Sequence, residues 1–430
     1  MNTIEVGQRI EEIRFEVSGL TDGSSEQIIV DGATFNLTDG IAGNTGPGGV
    51  NVSISVTGDT ATVSITRNGN ISVSDAQTLI NELQYQNVSQ NPTSGNRVAT
   101  LTYLQDSGGT NNGGVDAGDF NIASTIGVLA INDAPLLSPS SPELTQITED
   151  NATNSGDTVS SLLSGSVTDV DSASFGMAIY ATETGSGNGT WQYRLEGGNW
   201  TNIDTVDLTS ALLLSEADSI RFVPDTLSGT TASFSFYAWD QSSGTVGNKV
   251  DVSVRGDTTA FSTADDTATI HVSEVADTFT LTAGVDTVVG GSLNDTIITT
   301  VANYNAGDSI SGGGGTDTLE LTGGGAFTLT NNLSGVELVN LLDNGSYTIN
   351  LTSAADITNI DGSALTGSNA VNVNAQTYTS PLTISGGAGD DSLMGGTGAD
   401  TLLGGAGDDT LFYYSSDTSI DGGDNTLDFG

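Results

Sequence analysis

Residues 386–412 are three contiguous nine-residue units, GGAGDDSLM, GGTGADTLL and GGAGDDTLF, in unbroken register. Glycine recurs at positions one and two, with Gly389, Gly398 and Gly407 at position four, aspartate at position six and leucine at position eight. That period leaves few folds open. Gly386, Gly387, Gly395, Gly396, Gly404 and Gly405, with the position-four glycines, admit backbone angles closed to other residues. Each unit can therefore curl over its first six residues and aim carbonyls at an ion. Asp391, Asp400 and Asp409 add a hard anionic oxygen of the kind Ca²⁺ takes. The last three residues of each unit can then form a short strand whose leucine (Leu393, Leu402 or Leu411) enters a core.

Successive turns of such a coil lie on opposite edges, so a complete site needs a turn and the one two units later. The 386–391 turn should pair with 404–409, enclosing an ion between Asp391 and Asp409. The 395–400 turn would need a partner further on, where Gly422-Gly423-Asp424 is available. Asp390 and Asp408, at position five, are expected to face outward. A fourth perfect unit, GGGGTDTLE at 312–320, offers Gly312, Gly313, Gly315 and Asp317, and a damaged copy at 290–297 offers Asp295. Either a calcium turn or a corner without metal accounts for these two.

Charge points the same way. The 430 residues carry a formal net charge of −45, from 53 acidic against 8 basic side chains, and no Lys or Arg follows Arg255. A compact fold with such self-repulsion needs counter-charge, and divalent cations supply it. Nucleic acid is excluded as a natural partner, because no basic patch can neutralise phosphates. Without cysteine there is neither a disulfide nor a thiolate metal site. No apolar run reaches membrane-spanning length, and residues 1–20 lack a signal peptide's apolar core. Free cytosolic calcium is too low for turns of ordinary extracellular affinity, roughly 10⁻⁴ to 10⁻³ M. The chain is therefore expected outside the cell, cut from a longer secreted protein or exported by a C-terminal signal.

Upstream, alternation predicts half-buried strands: Val52, Ile54 and Val56, then Ala61, Val63 and Ile65, with further runs at 97–104 and 122–131. Ser74 could cap a short helix with Ala76, Leu79, Ile80 and Leu83 on one face. Asn132-Asp133-Ala134-Pro135 ends this first module, and Ser138–Pro142 reads as a stiff linker. A second module over 134–276 alternates at Trp191, Tyr193 and Leu195 and at Phe234, Phe236 and Ala238. Its last strand sends Ala268, Ile270 and Val272 to one face and the sole histidine, His271, to the other. From about residue 277 strands shorten to three to five residues between Gly, Asn, Asp and Ser, which suits a solenoid. The expected fold is all-β: β-sandwich modules over 1–133 and 134–276, then a parallel β-solenoid or β-roll over 277–430, least regular at 325–380.

At 386–412 the chain resembles the RTX (repeats-in-toxin) proteins of Gram-negative bacteria, whose nonapeptides form calcium-loaded parallel β-rolls. The resemblance implies type I secretion and folding on meeting external calcium. Residues 420–430 end in mid-pattern, unlike the usual export signal, which fits a truncated chain. The upstream modules resemble the cadherin-like and Ig-like repeats of large RTX adhesins, at Leu83–Asn87, Asn132–Pro135, Ile147–Asp150, Asp169–Ser172, Gly189–Tyr193 and Ile220–Asp225. In cadherin-type arrays, acids near a module junction hold calcium. Asn132, Asp133, Glu149, Asp150, Asp169, Asp171 and Asp240 match that role, with turn formation and solubility as the alternative.

No catalytic apparatus is legible. One histidine excludes an HExxH zinc helix, no G-x-S-x-G elbow occurs, and the modular layout has no long catalytic insertion. The expectation is a calcium-dependent adhesin or surface-layer-like protein, with cell-surface glycans or other surface proteins as partners. Its alternative is a carbohydrate-binding arrangement in which an exposed Trp191, Trp200 or Trp239 stacks on sugar. Trp200, after Gly197-Gly198-Asn199, is the better candidate.

Overall fold

The computed structural model describes residues 8–109, 116–186, 188–343, 345–352 and 356–423. Apart from short helical segments, it is built from β-strands that fall into three successive groups of sheets. No sheet mixes strands from two groups.

The first group obeys the alternation. Val52 and Ile54 on strand Asn51–Thr57, and Ala61, Val63 and Ile65 on strand Thr60–Ile71, point into one core. These strands lie in a six-stranded antiparallel sheet ordered 41–44, 51–57, 60–71, 10–18, 95–106, 117–128. A three-stranded sheet (33–36, 26–30, 84–87) and helix Val73–Glu82 contribute to the same core, the helix through Ala76 and Leu79. The helix is capped by Ser72 rather than Ser74: Ser72 Oγ accepts from the Asp75 amide at 3.0 Å. Ser74 already lies inside the first turn, where its side chain cannot reach a free amide of that end.

The second group packs two sheets face to face, antiparallel except for the parallel edge pair of Ile147–Thr148 with Val272–Ser273. Met177, Ile179, Phe234 and Phe236 from one meet Trp191, Ile220 and Phe222 from the other, with the Trp191 ring edge-on to Phe222 and Phe234. Ser138–Pro142 is not a linker. The amides of Ser140 and Ser141 donate to the Asp266 carboxylate, and Leu136–Leu137 pairs with Val167–Thr168. A polar, proline-bearing stretch cannot extend a ladder fully, and here an acceptor side chain from the neighbouring strand satisfies its amides.

The third group is a right stack of parallel strands. One eight-stranded sheet runs 278–280, 296–300, 318–322, 338–341, 359–361, 383–385, 401–403, 419–421. Opposite it lie a three-stranded sheet (287–289, 309–311, 333–334) and a five-stranded one (325–329, 347–351, 371–374, 392–394, 410–412). Along the first sheet Phe279, Ile297, Leu319, Val339, Ile360, Ile384, Leu402 and Ile420 stand directly over one another. Phe327, Ile349, Val373, Leu393 and Leu411 form the facing column. The two columns run the length of the core, which Leu321, Leu329, Leu341 and Leu351 widen in the middle turns, and burying each leucine contributes roughly 1.5–3 kcal/mol. Between equivalent backbone points a turn takes 18 residues at either end of the solenoid. In the middle it lengthens to 20–24, the excess lying in the corners. This is the all-β architecture with a C-terminal parallel solenoid that the sequence predicts.

Candidate metal centre

The position-six aspartates are buried at the corners of the solenoid: Asp391, Asp400 and Asp409 are 2%, 0% and 4% exposed. Each reaches across to the turn stacked beside it. Asp409 Oδ1 accepts the Asp391 amide at 2.9 Å, Asp400 Oδ1 the Leu382 amide at 2.9 Å, and Asp391 Oδ1 the Val371 amide at 2.7 Å. Turns two units apart are thus neighbours, and 386–391 lies against 404–409. Asp390 and Asp408 are exposed, as position five requires, and Asp390 Oδ1 accepts the Asp408 amide at 2.9 Å.

The remaining carboxylate oxygens face inward. Asp391 Oδ2 accepts the Gly387 amide at 2.7 Å. Asp400 Oδ2, Asp317 Oδ2 and Asp295 Oδ2 are buried with no hydrogen-bond donor. A carboxylate so placed loses hydration without replacement. Burial pushes Asp391 up to about 6, with Asp409 and Asp390 adding repulsion. Burial likewise raises Asp400, Asp317 and Asp295.

The glycines keep this space open. A Cβ on Gly386 would strike Asp391 Oδ2 and the Gly404 carbonyl, and one on Gly404 would strike Asp409 Oδ2 and lie 2.9 Å from the Gly422 carbonyl. Gly405 and Gly407 hold φ of 107° and 124°, which residues other than glycine rarely adopt. Gly405 and Gly407 sit over the carbonyls of Gly387 and Gly389. Among the described residues no three acidic side chains already converge on a point. With one carboxylate per turn, backbone carbonyls must supply the rest of any shell. Hard oxygens, one of them left without a donor in each of Asp400, Asp317 and Asp295, and glycine-lined room together fit a hard divalent cation such as Ca²⁺.

The partner of 395–400 is not 422–424. Thr401 lies beside Ser419, and the Thr418 amide donates to the Asp400 carbonyl at 2.8 Å, so 413–418 completes that stack. Those positions are Tyr, Tyr, Ser, Ser, Asp and Thr, and the glycine signature is gone. Gly422 and Gly423 instead lie over Gly404 and Gly405. Asp424 lies outside the described residues.

Nor do 290–297 and 312–320 stand alone. Asp277, Asp286 and Asp295 are nine residues apart, followed by Asp308 and Asp317, each two residues before a core side chain: Phe279, Val288, Ile297, Ile310 and Leu319. The amide bond to the next turn recurs throughout: Asp277 to Asp295, Asp286 to Asp308, Asp295 to Asp317. Gly312 lies against Asp317 Oδ2, and Gly313 and Gly315 sit over the carbonyls of Gly291 and Leu293, as their counterparts do in the C-terminal array. The readable signal was the D-x-U spacing, which survives where the glycines do not.

The seven upstream candidates separate into two groups at opposite ends of strand Phe261–Ser273. Asn132 Nδ2 donates to Asp240 Oδ2 at 2.8 Å, the Asp133 amide to Asp171 Oδ2 at 3.0 Å, and the Asp171 amide to Asp169 Oδ1 at 2.9 Å. Asp169 Oδ2 and Asp171 Oδ1 are buried without a donor. Burial, then Asp171 beside it, raises Asp169. Glu149 and Asp150 lie instead beside the first turn of the solenoid, because Ile147–Thr148 pairs with Val272–Ser273. His271 is exposed on its strand, its Nδ1 3.1 Å from Thr231 Oγ1. Trp191 and Trp239 are core residues. Trp200 is half-buried, with the guanidinium groups of Arg221 and Arg194 at 4.3 and 4.8 Å from its ring centre.

Residues 265–297 and 383–414 match the family model of the RTX calcium-binding nonapeptide repeat, in four copies. Neither the curated proteins nor the solved structures gave a significant match to the chain. The C-terminal unit is therefore a β-roll of the RTX kind. The chain carries calcium-binding RTX repeats, and Ca²⁺ is the ion they take. Proteins with these repeats are typically extracellular, and among the described residues no helix is long and apolar enough to cross a membrane.

Proposed function

We propose that this chain is a structural and adhesive element of a bacterial cell surface, part of a large repetitive adhesin, whose solenoid is folded and held by calcium. Asp391, Asp400 and Asp409, with the carbonyls of their glycine turns, hold ions in the C-terminal array, and Asp295 and Asp317 do so in the upstream one. The sandwiches act as spacers. Asn132, Asp133, Asp169, Asp171 and Asp240 form a further calcium site at the base of the second module, and no catalytic step is involved. A surface-layer component would use the same devices.

The observation that carries the reading is the column of buried aspartates facing glycine-lined space with no basic residue to balance them. All ion pairs among the described residues fall within the first module. Metal binding and folding should then be coupled. Far-ultraviolet circular dichroism of the full chain, in chelator and in millimolar Ca²⁺, tests this; identical spectra would sink it. Carbohydrate binding is the second reading. Trp200 supports it least directly, because a sugar would have to displace Arg221 or Arg194 from the ring face. A glycan array comparing wild type with Trp200→Ala separates the two.

A further inference from the structure

Where the second sandwich meets the solenoid, Glu149 lies near enough to Asp277, Glu274 and Asp150 to feel their charge, and Asp277 feels Asp295 in turn, although their carboxylates do not yet converge on one point. Glu149 is fully buried, its Oε1 accepts the Val275 amide at 2.7 Å, and its Oε2 has no donor. Asp277 sends its amide to Asp295 Oδ1 at 2.7 Å, while its own Oδ2 is buried and without a donor. Asp295, 1% exposed, leaves Oδ2 in the same condition. Glu274 is spoken for, its two oxygens taken by the amide and hydroxyl of Ser292. No Lys or Arg follows Arg255, so no side chain from this half of the molecule offsets the charge.

Residues 272–277 occupy the place of a glycine turn, but their sequence is Val-Ser-Glu-Val-Ala-Asp. The aspartate is kept at position six. The glycines are lost, and Glu149 from the neighbouring module is inserted beside them. We infer that a hard divalent cation, Ca²⁺ in the extracellular medium, is held between Glu149 and Asp277, with Asp295 in the adjacent turn, and ties the second sandwich to the start of the solenoid. Two carboxylates from different modules replace what glycine carbonyls supply elsewhere. Burial, and then the neighbouring acids, raise both Glu149 and Asp277.

The test is calcium stoichiometry by equilibrium dialysis on the full chain, for wild type, Glu149→Gln, Asp277→Asn and Asp409→Ala. Gln keeps the Val275 bond and removes only the charge. Near-ultraviolet circular dichroism in calcium checks that each variant is folded. The expected result is a loss of about one equivalent in both Glu149→Gln and Asp277→Asn, additive with the loss in Asp409→Ala. Full stoichiometry in folded Glu149→Gln overturns the junction site, and so does a loss in Asp277→Asn alone. Failure of Asp409→Ala to lose calcium would count against the nonapeptide array instead, leaving the junction result to stand by itself.

Discussion

The amide of Asp391 donates to Oδ1 of Asp409 at 2.9 Å, across 18 residues of sequence. One aspartate thus serves its neighbour's backbone with one oxygen and turns the other toward the glycine at its own position one. Removing it should therefore cost twice, once in the stack and once in the shell. Asp409→Ala and Asp391→Ala are expected to abolish the ion between these turns. Asp400→Ala should cost less, because its partner turn 413–418 lacks glycines. Asp390→Ala should cost least, since Asp390 is exposed and bonds only the Asp408 amide among these turns. Calorimetric calcium titration of the four variants checks the order, and Asp390→Ala proving the worst would refute the pairing.

The glycines make a separate prediction. Gly404→Ala puts a methyl group against Asp409 Oδ2, whereas a Cβ on Gly422 meets nothing within 4 Å. Gly404→Ala should weaken calcium binding at least tenfold, about 1.4 kcal/mol. Gly422→Ala should stay within about 0.5 kcal/mol of wild type. Equal effects in the same titration would mean that the space beside the carboxylate is not the ion's.

Calcium-free protein should show an inverted pH response. Burial raises Asp391 to about 6 in the folded state, with Asp400, Asp317 and Asp295 also raised, against roughly 3.9 for an unfolded aspartate. Between those values the folded state binds more protons, so stability falls as pH rises. Whatever folded population the ion-free solenoid keeps should be largest at pH 4 and below, shrink up to about pH 6 and then level off, Asp391 accounting for at most about 3 kcal/mol. Calcium affinity should rise over the same window, as protons cease to compete. Melting in calcium-free buffer across this range decides it, and a midpoint that climbs with pH would contradict the assignment.

The core column is the control. Leu393→Ala removes a fully buried side chain between Val373 and Leu411 and should cost about 2–5 kcal/mol. Saturating calcium should restore part of that stability by mass action while leaving the number of bound ions unchanged. Chemical unfolding at fixed calcium, paired with dialysis, reads both. Magnesium should rescue poorly, because it keeps its waters and demands a smaller octahedral shell.

The units at 386–412 disclosed their own stacking, because glycine, aspartate and leucine each report a local requirement. Two turns escaped notice for the opposite reason. At 413–418 and 272–277 the stacking persists but the glycines are replaced, so the residue signature fades. The middle turns drifted out of register because their surplus residues sit in corners, where nothing in the core counts them. Ser138–Pro142 looked like a linker because its composition is polar, and only Asp266, far along the chain, provides the acceptors that dock it. Asn132 and the six acids from Asp133 to Asp240 looked like one junction in sequence, but a strand thirteen residues long separates them.

Strand Phe261–Ser273 passes into the first solenoid strand, Thr278–Thr280, through only four residues. The coil therefore begins on a rigid floor rather than at the end of a tether. An 18-residue turn drawn out straight spans about 60 Å. Once wound, it adds only about 4.8 Å of height, the spacing of neighbouring strands. Every turn that closes on an ion reels in more than 50 Å of chain toward that floor, in steps fixed by the repeat. The solenoid is thus a winch with one anchored end, and on the function proposed above calcium sets how many notches it holds.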